Sequence, residues 1–68
     1  MQLSARNQLK GKIVEIKDGP VSTEVALEIG DFKIVSSITS ASAAQMNLKV
    51  GDEAFAVIKA SNVMVAKQ

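Results

Sequence analysis

The 68-residue chain has no cysteine, no histidine, no tryptophan and no tyrosine. Without cysteine there are no disulfides and no thiolate metal sites, and without histidine the commonest zinc ligand is gone. A Ser–His or Cys–His nucleophile cannot be built from this alphabet. The catalytic options left are a Ser–Lys pair or carboxylates such as Glu24 and Glu28. Those two glutamates lie four apart on what reads as the solvated side of a strand, where charged residues normally sit. Asp18, Asp31 and Asp52 each adjoin a glycine at a turn, so they do not form the clustered oxygen set that a hard cation needs. The expectation is a protein that is not an enzyme.

Aromatic residues are almost as scarce, at 3%, represented by Phe32 and Phe55 alone. Base-stacking platforms for nucleic acid need more than that. Charge of one sign is also lacking: 8 basic against 7 acidic residues give a net charge of +1. A general nucleic-acid binder carries a basic excess. No apolar run approaches the roughly 20 residues that span a bilayer. The opening ten residues are polar and lack the apolar core of a signal peptide. These features suggest a cytoplasmic protein with no membrane and no nucleic-acid partner.

What the chain has in quantity is aliphatic: 47% hydrophobic residues, supplied mainly by Val, Ile, Leu and Ala. At this length there is one domain, residues 1–68, with a core worth only roughly 3–5 kcal/mol. Lacking disulfides and metal, such a domain is expected to gain its stability by self-association.

Residues 9–16 begin as an alternating strand, but the apolar phase slips by one at Ile13–Val14, which predicts a β-bulge or burial on both faces. Asp18-Gly19-Pro20 is a turn signal. Residues 21–29 alternate cleanly, with Val21, Thr23, Val25, Leu27 and Ile29 on one face and Ser22, Glu24, Ala26 and Glu28 on the other. Gly30-Asp31 then turns the chain into a second strand, residues 32–38, pairing as a hairpin. Thr39, Ser40 and Ser42 precede an Ala-rich stretch, the signature of an N-cap and a short helix. Beyond Gly51-Asp52 come a strand at 53–59, an interruption at Ala60-Ser61-Asn62 and a last strand at 63–66. The pattern predicts an all-β fold, an OB-like five-stranded Greek-key barrel with one short helix.

Three segments are rich in hydrogen-bond donors and free of acids: Ser4-Ala5-Arg6-Asn7-Gln8, Ser36 through Ser42, and Lys59-Ala60-Ser61-Asn62. Such segments suit a tetrahedral dianion, which accepts hydrogen bonds and, when fully deprotonated, donates none. Burying two negative charges requires compensation, and one Arg plus one Lys would supply it. Taken singly, each segment also reads as ordinary caps, turns and solvated charges.

Ser4-Ala5-Arg6-Asn7-Gln8-Leu9-Lys10-Gly11 resembles the opening motif of the Mop domain, the TOBE-type unit. Ile38-Thr39 leading into Ser42, the turn Leu48-Lys49-Val50-Gly51-Asp52, and Val57-Ile58-Lys59-Ala60-Ser61-Asn62-Val63-Met64 resemble the same family in order and spacing. A lone unit of this kind is similar to the molbindins. The resemblance implies an OB-like fold with a strand exchanged between two subunits, and a hexamer built as a trimer of dimers. It implies molybdate or tungstate as ligand, with no further cofactor, bound at subunit interfaces for storage or buffering. Ser4 and Arg6 would come from one subunit, and Thr39, Ser42, Lys59 and the backbone at Ala60 from a neighbour, with Ser61 alongside. The family name shares a root with molybdopterin, but a pterin ring wants stacking partners, which the chain does not offer. The alternatives are an OB-type nucleic-acid module, which the scarcity of aromatics and basic residues disfavours, and a regulatory ligand-sensing domain, for whose usual ATPase or helix-turn-helix partner a chain of this length has no room.

Overall fold

Four antiparallel strands and one helix make up the computed structural model, which describes residues 2–68. Strand β1 (Asn7–Lys17) is long enough to serve two neighbours. Its first half pairs with β4 (Glu53–Ile58), from Asn7↔Ile58 to Lys12↔Glu53. Its second half pairs with β2 (Ser22–Ile29), from Lys12↔Glu28 to Lys17↔Glu24. The sheet order is β3-β2-β1-β4, with β3 spanning Phe32–Thr39.

The expected phase slip is present as a bulge: the β1–β2 register shifts between Ile13 and Glu15. At the same place β1 changes partner. The main-chain groups of Ile13 turn to the loop before β4, donating to the Asp52 carbonyl at 2.9 Å and accepting from the Gly51 amide at 2.8 Å. An extra residue on one strand bends it and re-aims its side chains, and here it sends Ile13 fully inside. Gly11 permits the crossing. A Cβ there would lie 2.6 Å from the Glu28 carbonyl oxygen, closer than any side chain tolerates.

The β2–β3 hairpin closes through Gly30-Asp31 between the paired Ile29 and Phe32, with Gly30 at φ +60°. A two-residue hairpin loop requires this left-handed conformation, which glycine adopts without cost. The helix α1 (Ser40–Met46) is capped by Thr39, as its sequence indicates, and ends on Asn47 in the left-handed region. The described strand β2 starts at Ser22, so Val21 is left outside it and exposed, while Ala26, expected on the outer face, is buried.

The core is small: Ile13, Val25 and Leu27, flanked by Ile16, Ile38, Leu48 and Ala54. The strand expected at 63–66 is not formed. After β4 the chain makes one 3-10 turn, Ala60–Asn62, and leaves the sheet in no regular structure. The physical reason is the want of a partner: a strand exists only when paired, and no described strand pairs with this segment. The sheet is therefore a curled half-barrel with β3 and β4 as its two edges. Between those edges lies an apolar cleft of about 400 Å3, lined by Leu27, Ile34, Ile38, Leu48, Ala56 and Ile58 among others. Met64 and Val65 stand 94% and 93% exposed. The chain thus carries an exposed apolar tail and, separately, an apolar cleft that the tail does not line.

Candidate functional site

The residues singled out from the sequence fall into two clusters. The first lies at the free end of the β1–β4 ladder. Asn7↔Ile58 is its last rung, so Arg6 and Lys59 are the next residues along the two strands, on neighbouring chain segments. Ser4 and Arg6 are exposed, but the residue between them, Ala5, is buried and anchors the segment. The Gln8 amide Nε2 donates to the Ala5 carbonyl at 3.2 Å, and the Asn7 amide Nδ2 donates to the Ile58 carbonyl at 3.1 Å. Lys59 precedes the 3-10 turn, which closes through Asn62 N–H to the Lys59 carbonyl and Val63 N–H to the Ala60 carbonyl. The N–H groups of Ala60 and Ser61 come before the first of these bonds and are free to donate outward.

The second cluster surrounds the start of α1. The Thr39 hydroxyl accepts from the Ser42 amide at 3.1 Å and donates to Ser42 Oγ at 2.8 Å. With Thr39 so engaged, the hydroxyl hydrogen of Ser42 is left for an outside acceptor. Beneath them the Ser40 hydroxyl donates to the Gly19 carbonyl at 2.6 Å, and the buried Thr23 hydroxyl lies 2.8 Å from Ser40 Oγ. Since the Ser40 hydrogen is committed to Gly19, Thr23 is the donor in that pair. Sequence reasoning does not find this relay: it places Thr23 on the apolar face of β2 with Val25 and Leu27, and a polar residue on that face is the one signal that points to it.

The two clusters lie at opposite ends of β1. Thr39 pairs with Ser22, beyond the end of β1 where Lys17 pairs with Glu24, whereas Arg6 precedes its start. An eleven-residue strand separates its ends by on the order of 30 Å. The resemblance groups Lys59 with Thr39 and Ser42, but within one chain Lys59 stands beside Arg6 instead. Apart from the buried Thr23, all the donors named are exposed or half-buried. Among the described residues the one ion pair is Lys10 with Glu53, 3.6 Å apart on the surface, and neither Arg6 nor Lys59 has a carboxylate at that range. Among the described residues no His, Cys, Asp and Glu side chains group as a metal site, and no helix is long and apolar enough to cross a membrane. Chemically, then, each chain offers two cations with two or three N–H donors at one end, and hydroxyl donors at the other. Both sets suit an anion that only accepts.

Comparison with known proteins fits this inventory. The model of the TOBE domain matches residues 3–65, and the chain belongs to the TOBE-domain family. Within it, the chain is similar to the probable molybdenum-pterin-binding protein of Haemophilus influenzae, at 52% identity covering 96% of each chain. Its fold is similar to that of a molybdate-binding protein from Sporomusa ovata, with a TM-score of 0.95 at 33% identity over 98% of this chain and all of that one. The protein MopII from Clostridium pasteurianum is also similar, with a TM-score of 0.91 at 48% identity, covering 97% of this chain and 100% of that one.

Proposed function

We propose that this chain binds the molybdate dianion, and tungstate with it, at interfaces between its own copies, and that it stores or buffers molybdenum in the cytoplasm without catalysing a reaction. The observation that carries the reading is the division of donors between the two ends of β1. Neither end alone surrounds an anion, and no single chain brings them together. The anion is held where Ser4, Arg6, Lys59 and the N–H groups of Ala60 and Ser61 of one copy meet Thr39 and Ser42 of a neighbour. Arg6 and Lys59 offset its two charges, and every remaining contact is a donor. The names of the relatives from Haemophilus influenzae and Sporomusa ovata support molybdenum as the element concerned.

Assembly is part of the same proposal. The unpaired residues 63–66 and the open cleft between β3 and β4 are complementary in character, both apolar. A strand exchanged between two copies fills one with the other, and three such dimers form the hexamer that the family resemblance implies. The test is a calorimetric titration of the assembled protein with molybdate, tungstate, sulfate and phosphate. Molybdate and tungstate bind alike and sulfate more weakly, because the smaller ion does not reach every donor. Equal affinity for sulfate contradicts a molybdenum-specific role.

A further inference from the structure

We propose that Asn7 is a positioning residue that sets the spacing of Arg6 and Lys59, and through it the preference for a large dianion over a small one. The inference rests on the oxyanion reading above. It starts from an electrostatic difficulty. Arg6 and Lys59 follow directly on the last rung of an antiparallel ladder. Opposed positions on such a ladder place side chains about 5 Å apart, and like charges there repel. Before the anion arrives, nothing of opposite sign holds the two cations: the one described ion pair lies at Lys10 and Glu53. Lys59 also leaves the strand to enter the 3-10 turn, so no further rung ties the two segments together.

The Asn7 side chain supplies the missing tie. Its amide crosses the ladder to the carbonyl of Ile58, the residue before Lys59, from the residue after Arg6. The bond joins positions 51 apart in the chain and is half-buried, so it competes less with water than a surface contact does. It sits on the last paired rung, where a ladder otherwise frays. On the Arg6 side, the buried Ala5 and the Gln8 bond to its carbonyl fix the other flank. The residues flanking the two cations are thus fixed by neutral amides, which sets the spacing of the backbone that carries them, and among the described residues no carboxylate pairs with either cation to compete with an incoming anion. A site whose width is set in advance rejects a smaller ion that reaches fewer donors. A site free to narrow adapts to it.

The experiment replaces Asn7 by leucine, of similar size but without a donor, and measures the affinities of molybdate and sulfate by calorimetry, with sedimentation to verify assembly. Molybdate binding weakens about 2- to 10-fold, the worth of one half-buried neutral hydrogen bond, and the molybdate-to-sulfate affinity ratio falls. A merely structural role would lower stability and leave that ratio where it was in the fraction that assembles. Asn7→Gln, which keeps the amide, recovers part of the ratio. Should Asn7→Leu fail to assemble, Asn7→Ser, polar but too short to span to the Ile58 carbonyl, gives the same fall. An assembled Asn7→Leu or Asn7→Ser protein with an unchanged ratio overturns the inference. Wild-type protein that does not bind molybdate sinks instead the oxyanion reading on which it stands.

Discussion

Arg6→Ala and Lys59→Ala test the charge balance. In the single chain both residues are exposed and neither is engaged in an ion pair, so truncation breaks no contact that folding relies on. The core of Ile13, Val25 and Leu27 is untouched. The loss therefore falls on the ligand. With one cation removed, a dianion enclosed between copies keeps about one uncompensated charge. Removing a charged hydrogen-bond partner from a desolvated site costs roughly 2–5 kcal/mol, about a 30- to several-thousand-fold loss of affinity. Ser42→Ala removes a neutral donor and costs less, about 1–3 kcal/mol. Lys33→Ala is the control, since Lys33 lies on β3 paired with Glu28, away from both clusters. Calorimetry reads the affinities, and sedimentation confirms that each variant still assembles. The unliganded Arg6 and Lys59 variants assemble no worse than wild type, because two converging cations no longer repel. Full molybdate affinity in both, with a loss in Lys33→Ala, would refute the reasoning and put the site elsewhere.

Two further predictions concern the scaffold. Val65→Asp places a charge on the apolar tail that the proposed exchange buries, so sedimentation should shift from the oligomer toward the 7.2 kDa chain; an unshifted oligomer means that the tail is not in the interface. Gly11→Ala forces a methyl group to within 2.6 Å of the Glu28 carbonyl, and overpacking of this kind costs about 1–3 kcal/mol; a urea midpoint equal to wild type would show that the β1–β2 crossing can widen freely.

Much of the fold was legible because its signals are local. Alternation at Thr23, Val25 and Leu27 (though not at Ala26, which is buried with them), glycine at the hairpin, the phase slip at Val14 and the Thr39 cap each act within a few residues, and each has its counterpart in the structure. The tail at 63–66 carries an equally good strand pattern, yet it stays unpaired, because a strand depends on a partner that local pattern does not supply. The same distinction runs through the site. That Arg6, Lys59 and the Ser/Thr segment are donors is a matter of residue type. That Arg6 neighbours Lys59 is a matter of register between segments far apart in the chain, which Asn7 and Ile58 determine. Thr23 was visible as a polar residue among apolar ones, but its role needed the position of Ser40.

The central claim is that one copy's cations and another copy's hydroxyls share an anion, and subunit mixing tests it most directly. Arg6→Ala subunits and Ser42→Ala subunits, each deficient alone, are combined under conditions where exchange is verified, and molybdate binding is titrated. Sites that draw Arg6 from a Ser42→Ala copy and Ser42 from an Arg6→Ala copy are intact, so the account predicts a fraction of sites restored to wild-type affinity. Arg6→Ala mixed with Lys59→Ala restores none, because those two residues belong to the same end of one chain. No recovery in the first mixture, after confirmed exchange, contradicts the interfacial site.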